Sequence, residues 1–293
     1  MQWKDNAVVI NCAKFGESSS IVTVLSQNHG VHKGMLKRGY FAQGDLVDAV
    51  WTARLSEQLG SWKLDQQYSY SSCIMRDRAK LQTLIFVGRL LCVALSERTP
   101  CPEIFWRYVQ FLDALASPGA GGAWVTGYLY FELFLLTKTG FGFDFGKINP
   151  EDPYCYIDSR TGTVFTKSAG EAQACELLRC PSWLAVAMQQ YRTPQINTNG
   201  AQPALENDKR LTSQPIALES NNARLTSQPI ALESNSAWMT SQPIALESMD
   251  NLQRDSIADC FKLIGHFLGD MLAHEYSLLA DRDKVVDYML SKI

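Results

Sequence analysis

The chain has 293 residues, 46% of them hydrophobic and 11% aromatic, enough to bury the core of one or two domains and to exclude wholesale disorder. Twenty-seven basic residues stand against 30 acidic ones, a formal charge of -3, so any site for a polyanion must be local rather than a property of the whole surface. The opening MQWKDNAVVI contains Asp5 and no long apolar run, so no signal peptide is expected, and eight cysteines without a C-x-x-C pair read as reduced thiols in a cytoplasmic protein.

Residues 1–75 alternate in the manner of strands. Ala7 to Ile10, Ile21 to Leu25, His32 to Lys37, Leu46 to Leu55 and Ser61 to Tyr68 form five β-rich runs separated by Gly, Ser, Asn and Asp turns. A small antiparallel unit of this kind must close on itself or cover its edges, and the five-stranded OB barrel is one economical solution.

From Asp77 the period becomes helical. Leu81, Leu84, Ile85, Leu91 and Leu95 belong to a first helix ended by Thr99-Pro100, and Pro102 opens a second that carries Ile104, Phe105, Tyr108, Val109, Phe111 and Leu112. A third helix is expected from Ala123 to Thr139. Its apolar run to Leu136 is broken by Thr126, Gly127 and Glu132 and is too short to cross about 30 Å of hydrocarbon, so it reads as a buried helix with no membrane contact. Cys155 to Asp158 and Val164 to Lys167 are expected to form a β-hairpin around the turn Ser159-Arg160-Thr161-Gly162.

A direct repeat of fourteen residues follows: RLTSQPIALESNNA from Arg210, RLTSQPIALESNSA from Arg224 and WMTSQPIALESMDN from Trp238. Each copy carries a central proline (Pro215, Pro229, Pro243) and few aliphatic residues. It therefore reads as a disordered surface insertion made by tandem duplication, which loop-closure entropy tolerates. A multivalent partner motif is the rival reading, and nothing in the sequence favours it. Beyond it, Ile257, Phe261, Ile264, Leu268 and Met271 share one helix face, and a last helix spans about Arg282 to Ser291. The expected fold is α+β: an OB-fold barrel over residues 1–75, a helical domain with a minor hairpin over 76–191 and 251–293, and the insertion over 192–250.

Catalytic constellations are missing from the sequence. There is no phosphate loop, no H-E-x-x-H and no G-x-S-x-G, and His266 and His274 are too far apart along a helix to share a metal without other ligands. Cys175 and Cys180 are the closest cysteine pair and give zinc little support. Through Lys80 the chain carries ten basic and seven acidic residues, a local charge of +3. Lys33, Lys37 and Arg38 lie beside Tyr40 and Phe41, then Trp51 with Arg54 and Trp62 with Lys63. Interleaved cations and rings suit a single-strand platform, on which phosphates are neutralised while bases stack. Trp51 and Trp62 read first as barrel packing and second as stacking rings.

The start MQWKDNAVVI, the Phe15-Gly16-Glu17-Ser18-Ser19 step, the turn Asn28-His29-Gly30 and the run GDLVDAVWTARLSEQLGSWKL together resemble the N-terminal domain of the RecO family of bacterial recombination mediators. FELFLLTKTGFGFDF from Phe131, YIDSRTGTVF from Tyr156 and the closing LIGHFLGDMLAHEYSLLADRDKVVDYML extend the resemblance to nearly everything outside the insertion. It implies an OB-fold domain and a helical domain in a nucleoid-associated protein. Such a protein binds single- and double-stranded DNA, anneals strands, and acts with RecR on strands coated by single-strand-binding protein so that RecA can load. No enzyme activity and no cofactor are implied.

In that reading Lys33, Lys37, Arg38, Arg54 and Lys63 contact phosphates, and Tyr40 and Phe41 stack on bases. Two departures stand out. Many relatives carry a zinc-binding cysteine motif after the position of Phe145, where this chain has only Cys155, so no metal is expected. The arginine-rich loop of relatives is reduced to Lys37 and Arg38 in MLKRGYFAQGDLV, which weakens direct DNA binding or shifts it to the helical domain. A partner-binding scaffold with little DNA contact is the alternative, and an OB-fold RNA binder a more distant one.

Overall fold

The computed structural model describes residues 1–55, 58–117, 123–141, 152–165, 177–186 and 254–292. Five strands, β1 (Gln2–Phe15), β2 (Ser19–Ser26), β3 (Gly30–Lys37), β4 (Asp45–Thr52) and β5 (Gly60–Ser69), form a closed barrel in the order β1-β2-β3-β5-β4. This is the five-stranded OB-type arrangement. β1 is much longer than its apolar run because it serves two neighbours. Gln2 to Val8 pair with β4, Ala7 to Phe15 pair with β2, and the register shifts between Val9 and Asn11.

The barrel closes where β3 and β5 run parallel, Gly34 opposite Gly60. A Cβ on Gly34 would lie 2.6 Å from the Trp62 indole nitrogen, and one on Gly60 would lie 2.2 Å from the Trp51 ring. The two glycines therefore leave room for the two indoles, which are cross-strand partners on β4 and β5. Trp62 Nε1 donates to the Val22 carbonyl at 3.0 Å, and Trp51 Nε1 to that of Lys33 at 3.3 Å. Both tryptophans are buried with Ala7, Val9, Val22, Val24, Leu36, Val47 and Ala49, so they fill the barrel and are not exposed stacking rings.

The helical region opens with α1 (Tyr70–Ile74) and α2 (Arg78–Ala94), the latter capped by the Asp77 carboxylate, which accepts from the Ala79 and Lys80 amides. α3 (Pro102–Ala116) starts on its proline, and α4 (Ala123–Lys138) packs between it and α5 (Arg254–Met271). α6 (Tyr276–Lys292) starts earlier than expected from the sequence: its first turn packs Leu278 and Leu279 on the core, but the charged stretch from Asp281 to Lys284 separates them from Val285 and Val286 and hides the continuity. The expected hairpin is present as β6 (Tyr154–Asp158) and β7 (Val164–Phe165). A third strand, β8 (Leu177–Pro181), adds to the other edge of β6, and its LLRCP sequence has no alternation to announce it. The repeats of 192–250 lie outside the described residues.

One apolar core joins Val8, Ile10, Leu25, Val31 and Leu46 of the barrel to the helices. The seam is tightly drawn. Gly30 has φ +71, and a Cβ there would sit 1.9 Å from the Thr99 carbonyl oxygen. The Arg98 amide donates to the Val31 carbonyl at 2.8 Å, its guanidinium to the Gln58 carbonyl at 3.3 Å, and Tyr70 Oη to the Asp113 carboxylate at 2.6 Å. The connection between α2 and α3 thus lies along the free part of β3 like an added strand, with Val31 and Glu97 bridged in parallel.

Candidate nucleic-acid interface

The basic residues of the barrel fall into three groups with different surroundings. Lys33 projects from β3 towards the helical region, and its Nζ lies 2.5 Å from Oε1 of Glu97. It is already neutralised. Lys63 on β5 lies opposite Val50, which lies opposite Lys4 on β1, so the two lysines flank one row of the outer face. The next row along that face pairs Asp48 with Asp65, and Lys4 Nζ is 3.4 Å from Asp48. That surface is mixed in sign. Arg54 is exposed just beyond β4.

The third group is at the end of the barrel where the β1–β2 turn meets the β3–β4 loop. Lys37, Arg38 and Tyr40 are exposed there, Tyr40 at 80%. Neither cation has an ion-pair partner among the described residues. The Arg38 amide donates to the Ser18 carbonyl at 3.0 Å, tying the two connections together, and Arg38 adopts a left-handed φ of +60 followed by Gly39 at +109. The far side of the loop is pinned: the Asp45 carboxylate accepts from the Ala42 amide at 2.8 Å and from Ser69 Oγ at 2.6 Å. Burial pushes the Asp45 pKa up while these two bonds oppose the shift. Gln43 reaches the Leu84 and Ile85 carbonyls at 3.1 and 3.2 Å. A pinned loop base with an outward tip presents Lys37 to Tyr40 in one place.

Phe41 differs from Tyr40. It is half-buried and packs on the barrel core, so its ring is committed to the fold. Of the seven residues singled out from the sequence, the structure brings together Lys37, Arg38 and Tyr40, with Phe41 behind them, and separates Lys33, Arg54 and Lys63. It also adds two that sequence reasoning passed over, Lys14 and Phe15, both exposed at the end of β1. Alternation from Ala7 and Val9 would carry Phe15 into the barrel. The irregularity between Val9 and Asn11 reverses that parity, so that Cys12 packs inward and Phe15 stands outside.

Among the described residues no group of three or more His, Cys, Asp or Glu side chains is placed to hold a metal ion, and no helix is long and apolar enough to cross a membrane. Cys155 and Cys180 are buried cross-strand partners, with Cys155 Sγ 3.4 Å from the Cys180 carbonyl. Cys175 lies outside the described residues.

A closed OB-type barrel joined to a helical region places the chain in the OB-fold class, whose barrels carry oligonucleotides or oligosaccharides. Comparison narrows it. The family description "Recombination protein O N terminal" matches residues 1–64, and "Recombination protein O C terminal" matches residues 75–147. The DNA repair protein RecO of Rhodospirillum centenum is 33% identical over 196 residues, covering 63% of this chain and 77% of that protein. That of Anaplasma marginale strain Florida is 31% identical over 190 residues, covering 63% and 79%. That of Ruegeria sp. strain TM1040 is 30% identical over 191 residues, covering 62% and 78%. The chain belongs to the RecO family, and its role lies in DNA repair and recombination.

Proposed function

We propose that this protein is a non-enzymatic recombination mediator that binds and anneals DNA strands and, with RecR, helps RecA load onto strands coated by single-strand-binding protein. The observation that carries the reading is the cluster of Lys37, Arg38 and Tyr40 at the end of the barrel, exposed and without a neutralising acid among the described residues. Lys37 and Arg38 neutralise phosphates, Tyr40 offers a ring, and bases left unpaired by the protein stay free to find their complement. Lys63 and Arg54 stand apart from this cluster and add to binding only on a strand that runs beyond it, and Lys33 joins when Glu97 lets go.

The test is binding of a fluorescent single-stranded oligonucleotide across a salt series by the wild type and a Lys37→Glu, Arg38→Glu double variant. Losing two phosphate contacts lowers the magnitude of the log–log salt slope by about 1.4 on a single strand, and strand annealing is lost with it. Failure of the wild type to bind at low salt would overturn direct DNA handling. The second reading, a scaffold that docks other repair proteins, draws on the mixed charge of the Lys4–Lys63 face and on the Lys33–Glu97 pair. It is the account that such a failure would leave.

A further inference from the structure

Phe15 is 52% exposed at the last position of β1 and belongs to neither of the two apolar clusters found among the described residues. Its ring does nothing for the core, in contrast to Phe41 nearby in the same barrel end. The ladder sets its neighbours: Phe15 is opposite Ser19 on β2, and Ser19 is opposite Lys37 on β3. Ring and ammonium therefore rise from one cross-strand row, about 9 to 10 Å apart at the backbone, with a small serine between them. The turn that follows is itself uncrowded: Gly16, with φ +69, has no atom beyond its chain neighbours within 4 Å of where a Cβ would stand. The bond from the Arg38 amide to the Ser18 carbonyl places the Tyr40 loop against the same turn. Lys14, Lys37 and Arg38 outnumber Glu17, the one exposed acid of the β1–β2 turn.

We infer that Phe15 is a base-stacking residue that works with Tyr40 across the Lys37–Arg38 cations and makes this barrel end prefer single-stranded to double-stranded DNA. The inference rests on the DNA-binding reading above and adds to it the origin of strand preference. Cations hold the phosphates of either form. A ring needs the face of an unstacked base, which a single strand offers and an intact duplex does not. An exposed phenylalanine flanked by cations is suited to that contact because every base has a π-face, so the preference is for strandedness and not for sequence.

The experiment titrates the full chain with a fluorescent single strand and with a duplex of equal length, comparing wild type with Phe15→Ala, Phe15→Leu and Phe15→Tyr. Phe15→Ala and Phe15→Leu are expected to bind the single strand roughly 5- to 150-fold more weakly, the range for loss of one stacked base, and to bind duplex as before. Phe15→Tyr restores single-strand affinity. Wild-type affinity in Phe15→Leu would show that an apolar contact suffices and would refute stacking. Equal losses on single strand and duplex would refute a role in strand preference. Unchanged DNA binding by all three variants beside a binding wild type sinks this inference alone and leaves the ring to a protein contact. A wild type that binds neither DNA sinks the inference together with the proposed function.

Discussion

Removing the carboxylate of Glu132 is expected to cost about 3–5 kcal/mol of stability, because it strands a buried cation. Glu132 is the carboxylate that interrupts the apolar α4, and it is fully buried. Arg282, reaching in from α6, donates from Nε to Oε1 and from a terminal nitrogen to Oε2, each at 2.9 Å. The same terminal nitrogen reaches the Phe261 carbonyl at 3.3 Å, and the Tyr128 hydroxyl donates to Oε1. Gly265 of α5 makes room for this: a Cβ there would lie 2.8 Å from Arg282 Nη1. Burial by itself would lower the guanidinium's pKa, but the adjacent Glu132 more than offsets it and drives the pKa above its ordinary value. In the variant that support is gone and only the intrinsic basicity of a guanidinium keeps Arg282 protonated, so the buried cation has nothing to balance it. With a urea dependence of about 2–3 kcal/mol per molar, Glu132→Ala lowers the unfolding midpoint by roughly 1–2.5 M, read by circular dichroism and tryptophan fluorescence. Glu132→Gln, which keeps the shape and loses the charge, falls on the same side of wild type. A Glu132→Leu, Arg282→Met double variant recovers most of the loss, since an apolar pair of similar volume removes both charges at once. A loss under about 1 kcal/mol in Glu132→Ala, or a double variant no more stable than the single, would refute the reasoning.

Two further outcomes follow from the barrel. His32 is buried beside Trp3 and Trp51, and burial, then the nearby His29 and Arg98, hold its pKa below the usual histidine value. The unfolded chain takes up this proton near pH 6.5 and the folded chain resists it, so stability falls as pH drops from about 6.5 towards the folded value. His32→Phe is expected to flatten the decline of Tm between pH 7 and 5, and an unchanged profile would assign that decline to other groups. Glu97→Gln releases Lys33 from an exposed ion pair worth at most about 1 kcal/mol, so thermal stability moves little. The salt slope for single-strand binding should steepen by about 0.7, and a slope equal to wild type would place Lys33 off the DNA path.

The fold was legible wherever local signals agreed. Strand alternation with turn residues announced the five barrel strands, and Pro102 and the capping Asp77 marked helix starts that the structure reproduces. What escaped was whatever depends on a partner distant in sequence. β8 is held by β6 and not by its own pattern, and the first turn of α6 is held by Leu278, which is buried in the core shared with the other helices. Glu132 read as an interruption of an apolar run. Its counter-ion lies 150 residues away, so no local window could show that the interruption was a buried pair.

The site was legible to a lesser degree for the same reason. A sequence counts cations but does not say which are already spent, and Lys33 is neutralised by Glu97, 64 residues on. Rings are sorted in a similar way. Trp51 and Trp62 fill space that Gly34 and Gly60 vacate, a match between strands that become neighbours only when the barrel closes. Phe15 escaped because the apolar run of the first strand ends at Ile10, and extending it would not have placed the ring correctly. One register shift between Val9 and Asn11 turns the end of β1 over, and an alternation counted along the strand then assigns every later side chain to the wrong face. The residues left exposed by these long-range pairings, Lys37, Arg38, Tyr40 and Phe15, gather at a single barrel end. On the proposed reading, what matters at this barrel end is therefore not the number of cations in the β3–β4 loop but which of them stay unpaired beside exposed rings, and that depends on pairings no local stretch of sequence displays.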